Sequence, residues 1–238
     1  MNLCLSFPLH RTARHAALAL LLVCSSAPAE TLRVAVAANF KPTLEEINRL
    51  YRAQTGSVVL LSSASTGVLT TQLQHGAPFD IFFAADAQQP ALLAAGTRSR
   101  TFCYAVGKLA LAGGSIEDLA AASMSLAIAN PVTAPYGRAA LEVISRKEFS
   151  TASTRKLVRA NNAAQAYQFW HSGAVDLALL PRALAPDDAV NIPAQWHAPI
   201  EQHAYIARPS PAVTRYLNWV RSDTVRSLII EAGYESCP

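Results

Sequence analysis

The chain is short of charge, of cysteine and of any long apolar run, and each shortage closes off a class of function. Charged residues make up 15% of its 238 positions against 51% hydrophobic, the balance of a globular core rather than of a disordered chain. No long basic run is present, so nucleic-acid binding has no electrostatic footprint here. No apolar stretch approaches the ~20 residues that span a bilayer. No repeat, low-complexity tract or long linker interrupts the sequence. His75, His171, His197 and His203 keep no metal-ligand spacing such as i, i+4 on one helix, and surface or capping roles are expected of them. Ser62, Ser63 and Ser65 lie outside any GxSxG elbow and have no evident histidine partner. Asp80 and Asp86 flank an apolar strand and read as turn caps rather than as an acid–base pair. Lys41 and Lys108 read as solvated rim residues.

What is present begins with a leader. Arg11 and Arg14 make a basic start, Ala16–Cys24 is a short apolar run, and Ala27-Pro28-Ala29 puts small residues at −3 and −1 of a cut before Glu30. This is the anatomy of a cleaved secretory signal over residues 1–29. A lipid-modified signal ending at Cys24 is the weaker alternative, since the preceding Val23 is larger than such signals usually carry. Without the leader, the 20 basic residues fall by two to 18 against 16 acidic, a net charge of +2. Cys4 and Cys24 leave with it. Cys103 and Cys237 stay, in a compartment where disulfides persist.

The remainder alternates between short apolar runs rich in Val, Leu, Ile and Phe and segments with helical spacing. Leu32–Ala38, Val58–Ser62 and Phe79–Ala84 read as strands, with helices over Thr43–Gln54, Val68–His75 and Pro90–Ala95. Thr101–Ala112 is a long extended stretch. The alternation then restarts, with strands at Ser125–Ala129, Leu157–Ala160 and Leu177–Leu180 and helices at Arg138–Arg146 and Ala163–His171. Gln202–Ala207 is extended again, and helices over Pro211–Arg221 and Asp223–Ala232 follow. Such βα order implies α/β lobes, each a mostly parallel sheet flanked by helices. Two βα blocks joined by two extended connections, near 105–109 and 203–207, imply a bilobed protein with a two-segment hinge. Residues 30–106 and 205–238 are expected to form lobe I, and 107–204 lobe II.

Four strands run into turns of small, neutral residues, and a helix begins just after each. The turns are Ala37–Phe40 (AANF), Ser62–Gly67 (SSASTG), Ala134–Gly137 (APYG) and Ala160–Ala163 (ANNA). A helix start leaves N–H groups without intrahelical partners and carries the positive end of the dipole, which makes it an anion site. In open α/β sheets ligands bind beyond the carboxyl ends of the strands. Any one such turn is explained by helix capping alone. Four facing one cleft would make a cage of uncharged donors, suited to a dianion that stays ionised and would be repelled by a carboxylate.

Six segments carry a family resemblance: Leu32–Phe40 (LRVAVAANF), Ser62–Gly67 (SSASTG), Gly76–Ala87 (GAPFDIFFAADA), Tyr104–Leu111 (YAVGKLAL), Asn130–Gly137 (NPVTAPYG) and Ala160–Ala166 (ANNAAQA). In this order, spanning nearly the whole body of the chain, they resemble the periplasmic molybdate-binding proteins of ABC transporters. The resemblance implies the class II two-lobed binding fold and a cleft that holds molybdate or tungstate by hydrogen bonds, with no cofactor. It implies a periplasmic receptor that hands its ligand to a membrane permease. By motif, the ligand-binding residues would be Ala38 and Asn39 in the first turn, Thr66 with Ser65 in the second, Tyr136 in the third and Ala163, through its backbone N–H, in the fourth. The chain departs from many members in having Ala38-Asn39 where a serine is common, Tyr136-Gly137 where Ala–Gly is common, and no tyrosine at Leu179-Leu180-Pro181.

A receptor for another oxyanion, such as sulfate, is the alternative within this class. Phosphate is disfavoured, because a protonated ligand calls for an acceptor carboxylate. An enzyme would need a nucleophile or acid–base pair in the cleft, and none is seen; a sensor would need an output domain. No catalytic residue, metal site or nucleic-acid partner is expected, and the protein is expected to be a monomer. Cys103 lies where the chain leaves the first lobe and Cys237 ends a tail expected to return there. A disulfide between them is expected, the other reading being one buried and one frayed thiol.

Overall fold

The structure, a computed structural model, describes residues 31–98 and 100–238. The expected leader lies outside the described residues. The strands are β1 (Thr31–Ala37), β2 (Val58–Ala64), β3 (Ile81–Phe83), β4 (Thr101–Gly107), β5 (Leu109–Ala112), β6 (Leu126–Ala129), β7 (Leu157–Ala160), β8 (Leu177–Pro181), β9 (Val190–Asn191) and β10 (Ile200–Ile206). The helices are α1 (Lys41–Thr55), α2 (Thr66–Gln74), α3 (Gln88–Ala94), α4 (Pro135–Ile144), α5 (Ala163–His171), α6 (Pro211–Val220) and α7 (Asp223–Glu231). None is long and apolar enough to cross a membrane.

The strands form two five-stranded sheets, ordered β2-β1-β3-β10-β4 and β7-β6-β8-β5-β9. Both are mixed in the same way: in each, a single strand (β10 or β5) runs against the other four. Each sheet is the core of one lobe, and helices cover both of its faces. Period-two alternation divides the strand residues between those faces. Val34 and Val36 join Leu44 and Ile47 of α1 and Tyr216 of α6, whereas Ala35 and Phe82 join Leu69 of α2. In the second lobe Leu126 and Ile128 pack with Ala140 and Val143 of α4, and Ala127 packs with Ala166 of α5.

The extended stretch at 101–112 is two strands, not one. β4 belongs to the first sheet and β5 to the second, so the chain changes lobe at Lys108. It returns between Asn191 of β9 and Ile200 of β10. That return is earlier than the expected crossing near 203–207. β10 pairs with β4 from Ile200 onward, with a register shift between Gln202 and His203. Glu201, Gln202 and His203 break the apolar run there, which hides the start of the strand from a reading by hydrophobicity.

Candidate functional site

The four turns come together. Ala37 of β1 stands level with Ala64 of β2, and Ala129 of β6 with Ala160 of β7, and the turns beyond them enclose a small space of about 210 Å³, its mouth included. Its lining includes Ala38, Asn39, Ser65, Thr66, Tyr136 and Ala163, with Ala37, Ala85, Ala134, Pro135 and Asn162 completing the wall. No charged side chain is among them. Roomier hollows exist, one beside Cys103 and Cys237 and one around Arg155. The first carries Arg221, Arg226 and Glu235 in its wall and the second Arg146 and Arg155 beside three serines, so neither is an uncharged cage.

The donors can be counted group by group. Among the described residues, the backbone N–H groups of Asn39, Thr66, Tyr136 and Ala163 have no partner within the chain. The Ala38 N–H is engaged by the Ala64 carbonyl at 3.0 Å, so Ala38 shapes the wall without offering a donor. Ser65 Oγ is buried with no partner. Thr66 Oγ1 accepts from the Ala85 N–H at 3.0 Å, which leaves its own proton to donate. The helices behind these groups leave the N–H groups open. Ser65, at the N-cap position of α2, makes no capping bond, and Ala134, at the start of α4, has no side-chain acceptor to make one. Asn162 does cap α5, by accepting from the Gln165 N–H at 3.0 Å, but this leaves the Ala163 N–H open. Buried N–H and O–H groups without partners are costly to fold around unless a ligand takes them up.

A buried polar network forms the floor. Gln202 on β10 is wholly buried. Its Oε1 accepts from Asn39 Nδ2 at 2.7 Å and from the Tyr104 hydroxyl at 3.1 Å, and its Nε2 donates to the Tyr136 hydroxyl at 3.3 Å. Asn39 Nδ2 also donates to the Tyr234 hydroxyl at 3.3 Å, and that hydroxyl donates to the Asn39 carbonyl at 2.8 Å. Both amide protons of Asn39 are therefore committed below the cavity, and its unpartnered donor is the backbone N–H. Tyr136 runs so close under the hinge that a Cβ on Gly107 would lie 2.0 Å from its hydroxyl oxygen; only glycine fits at that position. Burial, and then the neighbouring Tyr234, push the Tyr104 and Tyr136 hydroxyls well above their ordinary pKa, so both stay protonated and neutral.

Three contacts tie the lobes across the site. The Gly67 N–H donates to the Thr133 carbonyl at 2.9 Å, Arg138 pairs with Asp86 at 2.8 Å, and Gln202 reaches Tyr136. Asp86 does cap a turn, accepting from the Gln89 N–H at 3.0 Å, and its second oxygen makes the bridge to α4. Sequence reading passes over Gln202, Tyr104, Tyr234 and Arg138. The one available signal was a buried-type segment at 200–206 interrupted by an amide. Cys103 and Cys237, remote from the cavity wall, form a disulfide. Among the described residues no group of His, Cys, Asp or Glu is placed to hold a metal ion.

An uncharged, donor-lined cleft between two lobes of like topology is the architecture of a solute receptor. The chain belongs to the bacterial extracellular solute-binding proteins, whose family model matches residues 32–235. It is 35% identical over 238 residues to the molybdate-binding protein ModA of Azotobacter vinelandii, covering 90% of this chain and 93% of that one. It is 32% identical over 244 residues to the ModA of Rhodobacter capsulatus, covering 94% and 97%. The solved structure of the Azotobacter vinelandii periplasmic molybdate-binding protein superposes with a TM-score of 0.78 at 32% identity, covering 87% of this chain and all of that one.

Proposed function

We propose that this protein is a periplasmic receptor that captures molybdate, and tungstate with it, in the interlobe cavity and delivers it to the membrane permease of an ABC transporter. It acts as a monomer, without cofactor and without catalysis, after removal of residues 1–29. The observation that carries this reading is the donor set: four backbone N–H groups, the Ser65 hydroxyl and the Thr66 proton converge on a cavity with no charged lining. A fully ionised tetrahedral anion offers acceptors only, so every group it meets here is matched. Hydrogen phosphate would bring a proton and find no carboxylate to receive it. The two relatives named as molybdate-binding proteins support the choice of ion.

Sulfate is also donor-satisfied but smaller. A cavity fixed to the larger ion holds the smaller one with longer, weaker bonds, and hydrogen bonds fall off steeply with distance. Calorimetric titration of the mature protein with molybdate, tungstate, sulfate and phosphate is the test. Molybdate and tungstate are expected to bind at least a hundredfold more tightly than sulfate, roughly 2.7 kcal/mol. Sulfate binding as tight as molybdate binding would overturn the assignment.

A further inference from the structure

We propose that Tyr234 is a positioning residue for the oxyanion site, and that the Cys103–Cys237 disulfide is what holds it there. The proposal rests on reading the cavity as an oxyanion site. Asn39 supplies one of the unpartnered N–H groups, and Tyr234 grips Asn39 from below on two sides, donating to its carbonyl and accepting from its amide. The Tyr234 ring is 2% exposed and meets Phe40, the next residue of the turn, edge-on at 5.5 Å between centroids. Released from this grip, Asn39 keeps the Gln202 bond to its amide but loses the hydroxyl that holds its carbonyl, and with it the anchor that fixes the backbone of the turn.

The grip comes from a segment with little structure of its own. After α7 the chain makes one isolated bridge, in which Val106 and Glu235 exchange N–H···O bonds of 2.8 Å each way. An exposed ion pair, Lys108 to Glu235 at 3.5 Å, is the other non-covalent tie beside the hinge. A surface ion pair of this kind contributes little, and a segment without a ladder or helix opens easily. To the burial of the Tyr234 ring in the first-lobe core the disulfide adds a covalent attachment. It joins the tail to β4, the strand that carries Tyr104 of the same network into the hinge. Closing a span of 134 residues also constrains the unfolded chain and so stabilises the whole fold. The test must separate that general effect from the local one.

Molybdate affinity and melting temperature are measured for four forms of the mature protein: wild type, Tyr234→Phe, Cys103→Ser/Cys237→Ser, and the triple variant. Tyr234→Phe keeps the ring and removes the hydroxyl. It is expected to weaken molybdate binding about tenfold, the scale of one buried hydrogen bond. Loss of the disulfide is expected to weaken binding by a similar factor in the wild-type background and not at all in the Tyr234→Phe background, while lowering the melting temperature in both. A purely structural disulfide would give the same affinity change in both backgrounds, and that result overturns the proposal. Should the disulfide-free forms not fold, Tyr234→Phe decides alone: unchanged affinity overturns it. Wild-type protein that takes up no molybdate overturns the oxyanion reading, and this proposal with it.

Discussion

Ser65 and Ser222 occupy the same position at the start of a helix, in the same backbone conformation, φ −68° and ψ 153° against φ −67° and ψ 157°. They do opposite things. Ser222, away from the cavity, turns its hydroxyl onto the Val225 N–H and caps α7, as Ser210 does for Val213 in α6. Ser65, at the cavity, leaves its hydroxyl unpaired. At α7 the serine supplies an acceptor to its own helix, whereas at α2, beside the cleft, the hydroxyl stays open; Asn162 does both at α5, capping the Gln165 N–H while the Ala163 N–H stays open. Residue type does not separate the two uses, and neither does backbone shape. The partner does.

The contrast can be broken hardest at Ser65 itself. Asp is as good a helix cap as Ser, so Ser65→Asp should still fold without ligand, which its melting curve checks. In a closed, uncharged cavity its carboxylate would face a dianion, a cost of several kcal/mol. Molybdate affinity by calorimetry should fall by a hundredfold or more, and near-normal binding would remove Ser65 from the site. A smaller effect is expected at the lobe contact. A Cβ on Gly67 would stand 3.2 Å from the Thr133 backbone of the opposite lobe. That contact exists only when the lobes meet, so Gly67→Ala should weaken molybdate binding about fivefold, a penalty of about 1 kcal/mol for a tight contact. Scattering of the loaded protein should show a larger radius than wild type. The smallest effect is the control. Ser222→Ala removes a true cap, at a cost of about 1 kcal/mol in stability and a few degrees in melting temperature, with molybdate affinity unchanged.

The strands and helices of both lobes were legible because each is locally written. Leu157–Ala160 and Ala163–His171 match the sequence reading residue for residue, and α6 differs from it by one residue at its end. The short 3-10 turns at 116–120 and 147–152 and the two-residue β9 were not, since they lack any repeat long enough to show a period. The turns that form the cavity wall were readable as a set, because each joins a strand to a helix with small polar residues. The floor was not. Asn39 meets Gln202 across 163 positions and Tyr234 across 195. No local pattern marks a glutamine in a strand, or a tyrosine in a tail, as the support of a distant turn. The unremarkable look of Ala38 likewise hides that its N–H is committed to the strand while that of its neighbour is open.

The order of strands carries a consequence for how the molecule comes into being. All five strands of the second sheet come from one continuous stretch, 109–191. The first sheet is interleaved: β3 and β4 do not touch each other but are stitched together by β10, which emerges from the ribosome almost a hundred residues after β4. The second lobe can therefore condense from local contacts, whereas the first must wait for a late strand and bear the slower search of non-local pairing. The leading half of the chain cannot close into a finished sheet until β10 has been made, so the cleft takes shape only once nearly the whole chain is present.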